Sequence, residues 1–264
     1  MLHNKALILL TSALLAAPLC LHAGNDDVEY KSKKNNDVQF RTGFEFDKSI
    51  GRHCSIAWSE ELRLKDDFKH LDRIYSDLSF SVKAAKWLKF SAGYTFISID
   101  HEGNKKNNYE KYWDLRHRLT LGTTLSHKTH NRWTFSLKER VQATFLTEDG
   151  IDKREKADPK WVLKSKVTAQ YKMKRIHLSP YASVELSNTL NAPDLTDGDY
   201  VEKVRTAIGA VYHFNKKNSI NFYYRFDYNL DKKLDVKSST GELKSFTEAK
   251  EYNNIFSVAY KFKF

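Results

Sequence analysis

From Asn254 to Phe264 the sequence reads Asn-Ile-Phe-Ser-Val-Ala-Tyr-Lys-Phe-Lys-Phe, which puts Phe256, Val258, Tyr260, Phe262 and Phe264 on one face of an extended strand. Ser257, Ala259, Lys261 and Lys263 fall on the other face. Successive side chains of a strand point to opposite sides, so this alternation demands a sheet with one apolar and one polar face. The same period of two recurs nearly everywhere after Asp37. A chain patterned in this way builds many strands and must hide one side of all of them.

The first clear run is Val38, Phe40, Thr42, Phe44 and Phe46, followed by Ile56, Trp58, Leu62 and Leu64, which Glu60 interrupts. Next come Ile74 to Val82, Leu88 to Phe96, Leu115 to Leu125, Trp133 to Phe145 and Trp161 to Tyr171, each apolar at most of its alternate positions. The series continues with Ile176 to Leu186, Val204 to Phe214 and Ile220 to Tyr228, and closes with the terminal run. Each run is about ten residues or slightly more, the length a tilted strand needs to cross a bilayer.

Connections alternate in length. Short ones fall at residues 83–86, 127–131, 172–175 and 215–218, and long ones at 100–111, 147–160, 189–200 and 231–251. Short turns at one end and long loops at the other describe an outer-membrane barrel with periplasmic turns. Eleven runs are visible, whereas a single-chain bacterial barrel has an even number. Residues 28–34 are the best source of an additional first strand, so the expectation is twelve antiparallel strands, with ten as the next choice.

The other bounds agree. Lys5, the apolar run Ala6 to Ala17 and the break at Pro18 have the layout of a signal peptide, with cleavage expected after Ala23. Cys20 raises the alternative of a lipidated leader, for which Ala17-Pro18-Leu19 is a poor approach. Removing residues 1–23 takes the formal charge from +11 to +10 and leaves Cys54 as the one thiol, so no intrachain disulfide can form. The mean hydropathy of −0.63 argues against a membrane-spanning helix but not against a barrel, whose alternation hides its apolar face from an average. The short turns are basic (Lys83, Lys86, Lys89, Lys128, Arg132, Lys172, Lys174, Arg175, Lys216, Lys217). The long loops hold acids (Glu148, Asp149, Asp152, Glu155, Asp158, Asp194, Asp197, Asp199). The basic rim reads as solvated turns, or as a surface for anionic lipid heads or cell-wall polymer. No nucleic-acid-binding motif accompanies the positive charge, so no nucleic-acid partner is expected.

A soluble sandwich also alternates, but it points its apolar faces at each other. Here the non-apolar side carries bulky charge: Arg41, Glu45, Glu61, Arg63, Arg73, Arg116, Arg118, Lys138, Arg140, Lys164, Lys166, Glu185, Arg205, Arg225 and Asp227. That suits the polar interior of a transmembrane barrel better than a protein core. Trp87 and Trp133 lie just beyond short turns, and Trp113 and Trp161 just beyond long loops, where aromatic girdles sit. The terminal strand resembles the signal by which outer-membrane barrels engage their assembly machinery. The partners expected are therefore that machinery and outer-membrane lipid. The fold class is all-β, a single antiparallel transmembrane barrel over residues 24–264, located in the bacterial outer membrane.

Three stretches, Ser59-Glu60-Glu61-Leu62-Arg63-Leu64-Lys65-Asp66, Asp72-Arg73-Ile74-Tyr75-Ser76-Asp77-Leu78 and Leu88-Lys89-Phe90-Ser91-Ala92-Gly93-Tyr94, resemble an uncharacterised family of Gram-negative outer-membrane barrels, catalogued as a domain of unknown function. The resemblance covers essentially all of residues 24–264. It implies a barrel and an outer-membrane address, and it supplies no catalytic residues.

For function, two non-enzymatic readings stay open: a filled, structural barrel, and a narrow pore preferring anions, because Arg and Lys outnumber acids on the polar side. The enzymatic alternative is a lipid hydrolase at the outer rim. Ser98 continues the phase of Phe90 to Phe96 and His117 that of Leu115 to Leu121, which puts both on the apolar face near the 100–111 loop. No third member presents itself beyond Asn107 and Asn108. An outer-membrane protease would need acids and histidine at the loop mouth, and Asp100 with His101 meets this only by adjacency. The histidines show no zinc spacing, no Cys cluster exists, and no Gly-rich phosphate loop is present. No cofactor or metal is expected. Gly43, Gly93, Gly122 and Gly209 stand singly in strands and suit crowding or bending of a barrel wall.

Overall fold

The computed structural model describes residues 29–101, 111–146, 159–191, 200–236 and 243–264. These form β1 (Glu29–Ile50), β2 (Cys54–Lys65), β3 (His70–Lys83), β4 (Leu88–His101), β5 (Tyr112–Lys128), β6 (Trp133–Leu146), β7 (Lys160–Tyr171), β8 (Leu178–Thr189), β9 (Tyr200–His213), β10 (Asn218–Val236) and β11 (Leu243–Lys263). Each strand pairs with its successor, and β1 pairs with β11, which closes one barrel. The leader expected over residues 1–23 lies outside the described residues. So do the acids singled out in the 147–160 and 189–200 loops, and Asn107 and Asn108.

The strand count differs from the expectation of twelve. Residues 29–34 are not a separate strand but the opening of β1, which runs through Asn35-Asn36-Asp37 without a break. Asn and Asp favour turns, but here each has a partner opposite: Asn35 faces Glu251, Asn36 faces Tyr252 and Asp37 faces Asn253. Ladder hydrogen bonds outweigh the local preference. With eleven strands joined by hairpins, the first and last run the same way. The β1–β11 pairing is accordingly parallel, from Glu29 opposite Ser245 to Asp47 opposite Lys263. All other neighbours are antiparallel. An odd count also puts Glu29 at the end of the barrel that carries the long connections and Phe264 at the end that carries the short turns. At the former end β1, β10 and β11 outrun their neighbours. β1 pairs with β2 only from Phe40, and β10 with β9 only as far as Asn229.

Alternation sorts the wall into two faces. Leu78 is 50% exposed and Phe90 47%, whereas Thr95 and Ile97, of the opposite parity, are 6% and 1% exposed. A closed sheet covers only its inner side, so the covered parity is the interior. The exposed parity is the aromatic and aliphatic one, and it makes an apolar outer wall. Trp58, Trp87, Trp113, Trp133 and Trp161 are all exposed, at or near strand ends. Of the terminal run, Phe256, Val258, Tyr260 and Phe264 are exposed, while Phe262 packs against Phe46 and Phe264 beside the short turns. Phe46 in turn stacks on Trp58 with centroids 5.7 Å apart. Two carboxylates interrupt the outer wall, each held by a serine of the next strand. Ser76 Oγ donates to Glu60 at 2.6 Å, and Ser165 Oγ to Glu139 at 2.6 Å.

Candidate functional site in the barrel interior

The inner face is ionic, and most of its carboxylates are spoken for. One chain of ion pairs spans five strands, from β6 to β10. Arg140 on β6 reaches Glu185 on β8 at 2.5 Å, passing over β7. Glu185 also pairs with Arg205 on β9, whose Nε lies 3.3 Å from Asp227 on β10. Arg225 completes the chain at 2.7 Å from Asp227. Gly122 makes room for this arrangement: a Cβ there would stand 2.8 Å from Ser91 Oγ and 3.2 Å from Arg140 Cγ. Groups this enclosed need such pairing, because burying a lone charge costs several kcal/mol.

A second cluster occupies β2, β3 and β5. Arg63 pairs with Glu61 at 2.5 Å and lies over the Tyr75 ring at 4.0 Å. Arg73 binds Asp72 through two nitrogens, at 2.7 and 3.0 Å. Adjacent residues of a regular strand face opposite ways, and this contact exists because the β2–β3 register shifts after Arg63, which turns Asp72 inward. Arg118 donates to Thr144 at 2.9 Å, and Arg116 is held by Asp114.

What remains is a surplus of cations. Among the described residues, Lys138, Lys164, Lys166, Lys203 and Arg41 have no carboxylate within ion-pair distance. Arg41 is 5% exposed; its one side-chain bond is from Nη2 to Gln39 at 3.1 Å, and its Nε is buried without a partner. It stands directly opposite Arg63, and the charges of Arg63 and Arg225 repel its own. Water still reaches this lining, since the side chains of Arg63, Arg140, Arg205 and Arg225 are 19%, 22%, 16% and 17% exposed.

All twelve residues singled out in the sequence as lining candidates (Arg41, Glu61, Arg63, Arg73, Arg116, Arg118, Lys138, Arg140, Lys164, Lys166, Arg205 and Arg225) thus fall on the inner parity. Lys203, Tyr75 and Asp72 were not singled out. Lys203 shares the parity of Arg205 and Tyr75 that of Arg73, so the pattern held both. Asp72 has the wrong parity for a regular strand and is visible only through the bulge.

Ser98 and His117 share the outer face, on the diagonal of the β4–β5 pairing, since Ser98 faces Leu115 and His117 faces Phe96. The imidazole is engaged elsewhere: His117 Nδ1 and Tyr94 Oη are 2.6 Å apart. Asp100 is buried and pairs with Lys111 at 2.8 Å, while His101 stacks on Tyr112 at 4.7 Å between ring centroids. Among the described residues no group of three or more His, Cys, Asp or Glu side chains could hold a metal ion. Cys54 is a free thiol.

No curated protein matches the chain. A family model does, over residues 34–236, which takes in β2 to β10, most of β1 and nearly all of the inner lining described above. The chain belongs to the family described as "Protein of unknown function (DUF2490)".

Proposed function

We propose that this protein is a barrel of the Gram-negative outer membrane that acts without catalysis, as a narrow water-filled conduit preferring small anions. The observation that carries the reading is the cation surplus on a water-reached inner face, with Lys138, Lys164, Lys166, Lys203 and Arg41 lacking a carboxylate. A pore whose wall holds unbalanced positive charge raises the local concentration of anions and excludes cations. The apolar outer wall supports the membrane address, because only a surrounding hydrocarbon phase removes the cost of leaving Leu78, Phe90, Leu121 and Ile208 uncovered. The short-turn end then faces the periplasm, and the terminal strand is what the assembly machinery engages.

A purely structural barrel is the competing reading, and the ion-pair chain from Arg140 to Arg225 favours it, because such a chain also braces the wall. Single-channel recording separates the two. Purified protein in a planar bilayer under a KCl gradient should give current steps whose reversal potential lies on the chloride side. A folded, inserted protein that passes no current would leave the bracing role. For the lipid-hydrolase alternative, His117 Nδ1 is engaged by Tyr94 Oη and not by Ser98. Phospholipid turnover by the purified protein that vanishes in Ser98→Ala would overturn the non-catalytic reading.

A further inference from the structure

We propose that the inner wall of β6, β7, β8 and β9 is a binding site for a dianionic phosphate group, carried either by inorganic phosphate or by a small phosphomonoester. The inference deepens the anion-conduit reading and rests on it for access to the site from solution.

The site is set by register. On adjacent strands Lys138 stands directly opposite Lys166, and Arg140 directly opposite Lys164. One strand further, Ser187 is opposite Lys164 on one side and Lys203 on the other. Like charges in direct cross-strand pairs destabilise a sheet. Two such pairs lie side by side on this wall. The cations feel one another: Lys164 is repelled by Arg205, Arg118 and Arg140, and Lys138 by Arg140, Lys89 and Lys166, with Glu185 the carboxylate that attracts both. Glu185 stands directly opposite Lys166 but is divided between Arg140 and Arg205, and Glu202 of β9 is taken by Lys160 at 3.2 Å.

A second observation points to a ligand with several acceptor oxygens. Ser187 is 2% exposed, and its Oγ is buried with no hydrogen-bond partner. Arg140 Nε is likewise buried and unpartnered. A hydroxyl and a guanidinium nitrogen left bare in an enclosed site each forgo a hydrogen bond they would make in water. They sit among ammonium groups that also lack acceptors, so the unmet demand is for negative charge and for lone pairs together. Chloride supplies one charge and no directional acceptor. A phosphate dianion supplies two charges and three or four acceptor oxygens, enough for the lysines, Arg140 Nε and Ser187 at once.

The test uses the full chain in detergent micelles, with isotopically labelled inorganic phosphate in equilibrium dialysis at low salt. Folding of every variant is checked by its heat-dependent gel mobility. Saturable binding of phosphate is expected, and the Lys164→Gln/Lys166→Gln variant should bind roughly tenfold more weakly or worse, because two charge-assisted hydrogen bonds are lost. Ser187→Ala should weaken binding by a smaller factor. Lys216→Gln, in the exposed turn between β9 and β10, should leave it unchanged. Glycerol phosphate distinguishes the sources. If it binds more tightly than phosphate the ligand is an ester, and if it binds equally the phosphate group alone is read. Absence of saturable binding to folded wild type, or an unchanged affinity in the double lysine variant, overturns the site. Because binding is read without any current, a protein that conducts chloride but ignores phosphate sinks only the site. One that binds phosphate but never conducts sinks only the conduit.

Discussion

Glu45 of β1 and Lys261 of β11 face each other across the one parallel pairing in the barrel, and Lys261 Nζ also lies 3.0 Å from Asp47. A parallel ladder is slightly weaker per residue than an antiparallel one, so the seam gains from a side-chain tie of this kind. Lys261→Gln should cost on the order of 1 kcal/mol, since the pair is partly exposed. Lys261→Glu should cost more, because it sets three carboxylates together. The Glu45→Lys/Lys261→Glu double variant should recover part of the loss. Urea unfolding followed by gel mobility measures all three, and equal midpoints for Lys261→Glu and wild type would show that the tie contributes nothing.

Gly209 lies in register between Tyr181 and Tyr223 on the inner face. A Cβ there would come within 2.6 Å of both Phe222 O and Tyr223 Cβ and 2.9 Å of the Tyr181 ring. Two of these contacts are to atoms that cannot swing aside. Gly209→Ala should therefore destabilise by about 1–3 kcal/mol, the usual cost of overpacking. Gly51→Ala, in a turn with open space around it, should cost less, and only through its φ of +65°. Chemical denaturation of the two variants side by side checks the ordering.

Ion preference should follow the β6–β7 wall. Lys164→Glu/Lys166→Glu replaces two unpaired cations by two anions next to a preserved Arg140–Glu185 pair. In a planar bilayer under a KCl gradient the reversal potential should move toward the potassium side, and change sign if these lysines dominate selectivity. An unaltered potential would place the selective charges elsewhere, with Arg41 and Arg63 the first to substitute next.

The odd strand count sets the two ends of the described chain on opposite faces of any membrane the barrel crosses. In a Cys54→Ser background, Lys33→Cys and Phe68→Cys at the long-connection end should react with an impermeant maleimide on intact cells. His130→Cys and Lys216→Cys at the short-turn end should react only after the outer membrane is opened. Labelling of Lys33→Cys and Lys216→Cys together on intact cells would contradict the single parallel closure.

Parity carried most of what was legible in the sequence. Once Trp58, Val167 and Ile208 were set on one face, Arg63, Lys164 and Arg205 of the same strands had to fall on the other, and their inward placement followed from closure. Eleven runs were legible, and the twelfth strand came from the even-number rule; that residues 29–34 belong to β1 depends on a tertiary event. Nothing local in Asn35-Asn36-Asp37 shows that β11 will lie alongside to carry the strand onward. Asp72 escaped for a similar reason, since a bulge is a property of two strands and not of one. The pairing of His117 with Tyr94 instead of Ser98 was also invisible, because phase locates a side chain on a face but does not choose its partner there.

The seam also bears on how the molecule must be made. Glu45 and Lys261 are 216 positions apart in the chain, so the wall stays an open ribbon with two raw edges until its final strand has been synthesised. Closing so wide a loop is entropically late and slow. During that wait the leading edge is vulnerable to pairing with the wrong neighbour, and Lys31, Lys33 and Lys34, which space like charges along it, make a second copy of the same edge an unwelcome match.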